Sequence, residues 1–229
     1  MEAIILAGGL GTRLQSYVPG IPKSLAPVNG KPFLHYLVRF LKQQSISRII
    51  LSLGYLSEQI EKAFEKECEF ATEPQPMGTG GGIRLAMEKC RGEEILILNG
   101  DSFFNLDIAR FMTLHKKYNA DSSLALCKME DAGRYGTIER NADLRIVSFK
   151  EKAGLSQSGF ISTGVYCLNK KSFLQHTPPN TPFSIEKDYF ETQAGHLKLY
   201  GFPFEGYFID IGIPGDFERA QNDFSKFSD

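Results

Sequence analysis

Short apolar runs alternate with segments of helical periodicity through the first half of the chain. A continuous apolar run is typical of a strand buried on both faces, whereas apolar residues spaced three or four apart predict a helix. Strands that alternate with helices form a mostly parallel sheet with helices on both faces, and ligands then bind beyond the carboxyl ends of the strands. This half predicts strands at 3–7, 48–53, 70–72 and 94–98 and helices at 32–44, 57–66 and 81–90, with Pro32 at the first helical position.

The second half carries mainly strand patterns. Residues 135–139 and 145–150 flank Asn141-Ala142-Asp143, and this arrangement is a hairpin signal. We expect the strands of this half to extend the same sheet and to form a lid over its carboxyl edge. The remaining predicted elements are strands at 122–127, 161–168, 197–202 and 207–211 and helices at 183–194 and from Pro214 onward.

Composition narrows the functional classes. The 229 residues include 26 basic and 27 acidic side chains, which argues against a surface for nucleic acid or for an anionic membrane. The first strand begins without a basic start, so we expect no signal peptide, and no apolar run reaches the ~20 residues that span a bilayer. The four cysteines form no C-x-x-C pair and the four histidines show no ligand spacing. A reduced, cytoplasmic protein is the simplest interpretation.

A glycine-rich turn follows the first strand. Gly8, Gly9 and Gly11 lack a Cβ, so backbone N–H groups there can approach an anion, most often a phosphate. Arg13 follows at once and Lys23 lies in a loop between prolines, so the turn and two cations together indicate a polyphosphate. The spacing matches neither the Gly-Lys-Ser/Thr phosphate loop nor the G-x-G-x-x-G dinucleotide pattern. A tight turn without a ligand is the alternative.

Three motifs at the start of the chain resemble the signature of the sugar-1-phosphate nucleotidyltransferases. The family has Leu-Ala-Gly-Gly-x-Gly-Thr-Arg-Leu, then Pro-Lys-x-Leu-x-Pro, then Gly-Lys-Pro, and the chain matches it at residues 6–14, 22–27 and 30–32. Later motifs extend the resemblance over nearly the whole chain. The resemblance implies the nucleotide-diphospho-sugar transferase type of fold, a Rossmann-like three-layer α/β sandwich with a mixed, mostly parallel central sheet.

The family resemblance also implies how the chain is divided. We expect a single nucleotidyltransferase domain over residues 1–229, with a nucleotide-binding half at about 1–120 and a sugar-binding half at about 121–229. The sequence contains no hexapeptide repeat, so we expect no appended acyltransferase domain.

Residues 73–82 resemble the base-recognition loop of the family, Glu-x-x-x-Leu-Gly-Thr-Ala-Gly, with Gly80 in place of the usual Ala. Their glycines and prolines predict irregular backbone. The resemblance implies that backbone groups of this loop read the edge of the nucleobase. A flexible loop that caps the next helix is the alternative interpretation.

Two aspartates follow or interrupt apolar strands. Asp101 follows the strand at 94–98, and Asp210 lies between isoleucines, where a carboxylate is costly to bury unless it is paired or bound to metal. A simple turn at Asp101, and a helix cap or salt bridge at Asp210, are the alternatives. The resemblance implies that both carboxylates hold Mg²⁺, a cation that prefers oxygen ligands.

Four further segments resemble the sugar-phosphate contacts of the family. They contain Gly136, the pair Glu151-Lys152, Thr163 in a loop without the usual Asn, and Glu186. A solvated surface pair at Glu151-Lys152 and a first-turn helix acid at Glu186 are the alternatives. The resemblance therefore implies the following site residues. The implied catalytic residues are Arg13, Lys23 and Asp101, and the implied metal ligands are Asp101 and Asp210. The implied nucleotide-binding residues are Leu6, Gly8, Gly9, Gly11, Thr12, Arg13, Glu73, Gly78, Thr79, Asn99 and Gly100. The implied sugar-phosphate-binding residues are Gly136, Glu151, Lys152, Thr163 and Glu186.

The implied reaction joins a sugar 1-phosphate to a nucleoside triphosphate and releases pyrophosphate. Length and the 73–82 loop resemble most the D-glycero-α-D-manno-heptose 1-phosphate guanylyltransferases, which use GTP and supply heptose for capsule or surface layers. Uridylyl or thymidylyl transfer to a hexose 1-phosphate is one alternative, and a non-catalytic sugar-nucleotide sensor is another. The sequence leaves open whether the chain forms a homodimer.

Overall fold

The computed structural model describes residues 1–9, 18–150 and 158–227 and is built on one large sheet. The strands are β1 (Glu2–Leu6), β2 (Pro27–Val28), β3 (Lys31–Pro32), β4 (Arg48–Leu53), β5 (Glu69–Thr72), β6 (Glu94–Asn99), β7 (Ser102–Phe104), β8 (Ser122–Met129), β9 (Thr137–Arg140), β10 (Ile146–Lys150), β11 (Gly159–Asn169), β12 (Leu199–Pro203) and β13 (Phe208–Asp210). The α-helices are α1 (Phe33–Gln43), α2 (Ser57–Phe64), α3 (Gly78–Met87), α4 (Ile108–Lys117), α5 (Lys170–Gln175) and α6 (Pro214–Asp223), and a π-helix spans Ile185–Glu191.

The central sheet has seven strands in the order β12-β8-β11-β6-β1-β4-β5. Every neighbouring pair is parallel except those of β11, which runs antiparallel to β6 and to β8. The predicted mostly parallel, mixed sheet is therefore confirmed. Because β1, β4, β5 and β6 are parallel, their carboxyl ends meet at one edge of the sheet.

Alternate residues of the strands serve two separate hydrophobic cores, as the pleat of a strand requires. In β1, Ile5 joins a core that also contains side chains of α1, α2, α4 and α6. The neighbouring residue Ile4 points to the other face and joins a core with side chains of α3, α5 and the π-helix. The layers are therefore helix, sheet and helix, as predicted.

The lid strands differ from the prediction. β8, β11 and β12 do extend the sheet, but β9 and β10 form a separate antiparallel hairpin, and β13 pairs with β7 instead of joining the sheet. The expectation that all strands of the second half extend one sheet is wrong. The register of the β7–β13 pair sets Asp210 opposite Ser102, and the N–H of Ile211 donates to the carbonyl oxygen of Asp101 at 2.9 Å. This short pair therefore brings two distant aspartates together.

The glycine-rich segment is the clearest correction. The expected irregular backbone over 73–82 ends at Met77, because α3 begins at Gly78, three residues before the predicted start. A Cβ on Gly80 would lie 2.0 Å from a ring carbon of Phe183. Glycine is present here because the helix packs against Phe183 too closely for any side chain, and this packing overrides the weak helix propensity of glycine.

Three smaller predictions also change. Pro32 ends β3 and is the N-cap of α1, not its first helical residue, and the helix predicted at 183–194 is a π-helix that begins at Ile185. α4, α5 and the short strands β2, β3 and β7 were not predicted from the sequence pattern. Among the described residues, no helix combines the length and apolar character needed to cross a membrane.

His115 illustrates a histidine with a packing role. It lies buried on α4, and its ring nitrogens are 2.8 Å from the Ser123 hydroxyl and 2.6 Å from a carboxylate oxygen of Glu94. Glu94 also accepts a hydrogen bond of 3.0 Å from Asn169. These bonds join single side chains of α4, β6, β8 and β11 at the edge of the sheet opposite the carboxyl ends of β1 and β6.

Close packing of α3 makes a stability prediction. We expect Gly80→Ala to lower the free energy of unfolding by about 1–3 kcal/mol, because the added methyl group overpacks the buried ring of Phe183. Gly215→Ala is the matched control, since Gly215 is exposed in α6 and a Cβ there would have no neighbour within 4 Å. That variant should be neutral or more stable by up to about 1 kcal/mol. Urea unfolding measures both, and equal stabilities would contradict the packing argument.

Candidate active site

Three adjoining pockets lie along the carboxyl edge of the sheet. We call them the central cleft, of about 240 Å³, the loop pocket, of about 480 Å³, and the sheet pocket, of about 590 Å³. The central cleft shares Leu6, Gly9 and Thr79 with the loop pocket, and it shares Asn99 and Asp101 with the sheet pocket. The three pockets therefore form one continuous groove.

An ion cluster occupies the central cleft. The ammonium group of Lys23 lies 2.6 Å from a carboxylate oxygen of Asp101 and 3.7 Å from one of Asp210. The Asp210 carboxylate also accepts a 2.7 Å hydrogen bond from the N–H of Gly212. A Cβ on Gly212 would lie 2.6 Å from the Lys23 nitrogen, so this position admits only glycine without a shift. Lys23, Asp101 and Asp210 therefore lie together, and their predicted catalytic and metal-binding roles stay predictions.

The carboxyl ends of the neighbouring strands β1 and β6 lie side by side next to this cluster. The N–H of Gly100 donates to the carbonyl oxygen of Leu6 at 2.8 Å, and a Cβ on Gly100 would lie 2.3 Å from that oxygen. Gly8 approaches the backbone of Gly54 in the same way, since a Cβ there would lie 2.8 Å from the Gly54 nitrogen. These glycines let backbone, rather than side chains, line the groove, Gly100 in the central cleft and Gly8 in the loop pocket.

Two buried polar atoms beside the cleft have no hydrogen-bond partner among the described residues. They are the hydroxyl oxygen of Ser24 and the side-chain oxygen of Asn99, and both residues line the cleft. A buried polar group without a partner is costly, so these atoms favour a bound polar ligand.

The site also has the donor set for a divalent cation. Asp101 and Asp210 contribute carboxylate oxygens, which are the ligands that Mg²⁺ prefers. Both carboxylates already converge on the Lys23 ammonium, and the three side chains together carry a net charge of −1. The geometry therefore fits a cation between these two residues.

The loop pocket combines an acid with an exposed aromatic ring. Burial raises the pKa of Glu73, although its carboxylate accepts a 2.9 Å hydrogen bond from the N–H of Met77, which opposes that rise. Tyr55 lines the same pocket and is 48% exposed, which is unusual for so large an apolar surface. An exposed ring beside a carboxylate suits a flat polar ligand that stacks and donates hydrogen bonds.

The sheet pocket holds the predicted sugar-phosphate residues of the described chain. Gly136, Thr163 and Glu186 all line it. Gly136 has a φ of +74°, a conformation that side chains rarely adopt. Polar groups thus line a wide pocket next to the ion cluster, which suits a hydroxyl-rich ligand.

The structure brings most of the predicted site residues together. The described members that line the groove are Leu6, Gly8, Gly9, Lys23, Glu73, Gly78, Thr79, Asn99, Gly100, Asp101, Gly136, Thr163, Glu186 and Asp210. The predicted contacts Gly11, Thr12, Arg13, Glu151 and Lys152 lie outside the described residues, and their roles stay predictions.

Sequence reasoning missed several lining residues. Ser24 lies in the Pro-Lys-x-Leu-x-Pro motif and Gly212 lies two residues after Asp210, but the sequence gives neither of them a contact. Tyr55 lies two residues after the end of β4, so the rule that ligands bind beyond strand ends indicates it. Tyr135 and Tyr166 line the sheet pocket, and Tyr166 lies within β11, where the sequence gives no signal for a contact.

Comparison with known proteins agrees with this geometry. The family model described as "Nucleotidyl transferase" matches residues 2–226. A D-glycero-alpha-D-manno-heptose 1-phosphate guanylyltransferase of Aneurinibacillus thermoaerophilus is 42% identical, over 99% of this chain and 100% of that protein. The enzyme of the same name from Campylobacter jejuni is 38% identical, over 95% of this chain and 97% of that protein.

A solved structure supports the same likeness. The crystal structure of HddC from Yersinia pseudotuberculosis complexed with GMP-PN has a TM-score of 0.86 and 35% sequence identity, and it covers 97% of this chain and 99% of that chain. The predicted nucleotide-diphospho-sugar transferase type of fold is therefore confirmed.

Burial of the Glu73 carboxylate leads to a prediction about the pH dependence of the free energy of unfolding. Because its pKa is raised above the ordinary value of 4.5, the folded protein holds this proton to higher pH than the unfolded chain does. The contribution of Glu73 to the free energy of unfolding therefore falls as the pH rises from about 4.5 through the raised pKa. We expect Glu73→Gln to be more stable than the wild type at pH 7, and the difference to shrink as the pH falls through the raised pKa towards 4.5 and to vanish below it.

Urea unfolding at several pH values measures this difference. Glu205→Gln is the control, because Glu205 is exposed in a loop and its substitution should leave the pH profile unchanged. If Glu73→Gln is no more stable at pH 7, or if its advantage persists in acid, burial does not penalise this carboxylate.

Proposed function

Because this chain belongs to the nucleotidyl transferase family, we propose that it transfers GMP from GTP to D-glycero-α-D-manno-heptose 1-phosphate and releases pyrophosphate. Nucleotidyl transfer to a sugar 1-phosphate is the activity of its close relatives, and the chain is an enzyme of that class. The observation that carries the proposal is the Lys23–Asp101–Asp210 cluster between the loop pocket and the sheet pocket. In this arrangement the two substrates reach the cluster from opposite sides.

Glu73 supports guanine as the base. Guanine presents two adjacent donors on one edge, its ring N–H and its amino group, and a carboxylate can accept both. Uracil and thymine present a single N–H between two carbonyl oxygens, which an ionised carboxylate would repel. Glu73 lies half-buried in the loop pocket, where such contacts are least screened by water. Tyr55 at the same pocket offers a stacking surface for the base.

The reaction needs no general base from the protein. The second pKa of a phosphate monoester is about 6, so the attacking oxygen is already ionised at neutral pH. This oxygen forms a bond to the α-phosphorus of GTP, the bond from that phosphorus to the bridging oxygen breaks, and pyrophosphate leaves with its electron pair. The obstacle is repulsion between two anions, which Lys23, Arg13 and the backbone amides after Leu6 relieve by electrostatic preorganisation.

Mg²⁺ is the cofactor that we propose. Asp101 and Asp210 would hold the ion, and their convergence on one ammonium group supports this assignment. Bound there, the ion would neutralise phosphate oxygens and favour charge build-up on the leaving pyrophosphate. Lys23 would then turn from the two carboxylates to the phosphates.

The heptose assignment is supported by the two relatives that this chain resembles over nearly full length. The sheet pocket supplies Gly136, Thr163 and Glu186 for the sugar, and Glu151 and Lys152 stay predicted contacts. We place the reaction in the cytoplasm, where nucleoside triphosphates are available, and assign its product to capsule or surface-layer synthesis.

A pyrophosphate-release assay tests the substrates. We expect the wild type to use GTP with the heptose 1-phosphate and to discriminate against UTP, dTTP, CTP and ATP. In Glu73→Gln, the preference for GTP over UTP should fall by at least about tenfold, because the amide keeps only one of two acceptors. Glu205→Gln should keep the wild-type preference.

Three outcomes decide between the candidate functions. Better turnover with UTP or dTTP and a hexose 1-phosphate would favour a uridylyl- or thymidylyltransferase. Release with no pair of substrates would favour a sugar-nucleotide sensor. An unchanged preference in Glu73→Gln would remove Glu73 from base recognition while leaving the reaction class intact.

The ion cluster makes a separate prediction for turnover. We expect Asp101→Asn or Lys23→Ala to lower kcat at least ~10²-fold, the scale for loss of one preorganised charged group. Asp143→Asn is the matched control, since Asp143 is exposed in the turn between β9 and β10. Near-normal turnover in either cluster variant would refute the role of the cluster.

A further inference from the structure

Thr79 links the loop pocket to the sheet pocket. It lines the loop pocket and the central cleft, and its hydroxyl contacts Glu186, which lines the sheet pocket. We propose that Thr79 is a positioning residue that couples the binding of the two substrates. Nucleotide bound in the loop pocket holds Thr79, and Thr79 in turn fixes the Glu186 carboxylate in the position that contacts the sugar. The inference rests on the proposed function of the site.

The Thr79 hydroxyl is fully engaged within the protein. It donates to Oε2 of Glu186 at 2.9 Å and accepts a 2.9 Å hydrogen bond from the N–H of Ile185. A hydroxyl has only one hydrogen to donate. Thr79 therefore contributes its backbone, not its side-chain proton, to a nucleotide in the loop pocket. Its side chain instead holds Glu186, which lines the sheet pocket.

The two oxygens of Glu186 have different roles. Oε2 accepts from the hydroxyls of Thr79 at 2.9 Å and Ser184 at 3.0 Å. From the residues that the structure describes, Oε1 receives a single long contact of 3.4 Å, from the Tyr166 hydroxyl. Charged acceptors normally form shorter hydrogen bonds, so Oε1 keeps capacity for a ligand. The arrangement anchors one oxygen and presents the other to the sheet pocket.

The backbones of the two segments are joined on both sides of Thr79. The N–H of Phe183 donates to the carbonyl oxygen of Met77 at 3.0 Å, and the N–H of Gly80 donates to the carbonyl oxygen of Phe183 at 2.9 Å. A Cβ on Gly78 would lie 2.5 Å from the carbonyl oxygen of Phe183. The loop therefore cannot shift without moving residues 183–186. The backbone bonds keep the two segments in register, and the Thr79 hydroxyl is what extends this link to the Glu186 carboxylate.

Isothermal titration calorimetry tests the coupling. The probes are D-glycero-α-D-manno-heptose 1-phosphate and α,β-methylene-GTP, whose bridging methylene group prevents transfer. The coupling factor is the Kd for the sugar phosphate without nucleotide divided by the Kd with nucleotide bound. We expect a factor above 1 in the wild type and a value close to 1 in Thr79→Val. The ternary Kd should rise about tenfold, the scale for one hydrogen bond to a charged group.

Three comparison variants separate positioning from general structure. Thr79→Ser keeps the hydroxyl and should restore the factor. Ser184→Ala removes a donor to the same oxygen but leaves the loop intact, so it should weaken sugar-phosphate binding and keep the factor. Thr113→Val, on the exposed side of α4, should change neither quantity. The nucleotide Kd measured without sugar should change less than about threefold in Thr79→Val.

An unchanged coupling factor in Thr79→Val, or a wild-type factor of 1, would overturn the inference. If Thr79→Val does not fold, Glu186→Gln tests the same link from its other end, and an unchanged factor there has the same meaning. If the wild type does not bind the heptose 1-phosphate, the proposed substrate is wrong. The coupling is then measured with the pair of substrates that the pyrophosphate-release panel identifies, so the two failures are distinguishable.

Discussion

The site depends on holding two like charges beside each other. Asp101 lies in the turn before β7 and Asp210 ends β13, more than a hundred residues later, and the short β7–β13 pair brings them together. Lys23 lies between them and offsets their repulsion. Two neighbouring carboxylates repel each other unless a cation lies between them. The cluster is therefore suited to a polyphosphate substrate that binds together with a cation.

Much of the fold follows from local patterns, but not where packing overrides them. The apolar run at Arg48–Leu53 was bounded correctly, because a doubly buried strand leaves a continuous signal. α3 was misplaced because glycines have weak helix propensity, and only the tertiary contact of Gly80 with Phe183 explains why the helix starts among them. β13 was assigned to the wrong sheet because a three-residue strand carries no information about its partner.

The site shows a similar division. Motifs located Lys23, Asp101 and Asp210, since each follows or precedes a recognisable turn. They did not reveal Tyr166, which lies in a strand that reads as ordinary core, or the bond between Thr79 and Glu186. Contacts across more than a hundred residues depend on the register of strands and helices, which a linear pattern does not contain.

The close fit of Gly80 and Phe183 limits how this enzyme can diverge or be redesigned. Relatives with alanine in place of Gly80 need more room than the buried Phe183 ring leaves here. Residues 73–82 grafted from such a relative would therefore need a smaller residue at position 183 as well. A change in the segment that lines the loop pocket therefore requires a matching change just before the π-helix, where Ser184 lines the sheet pocket.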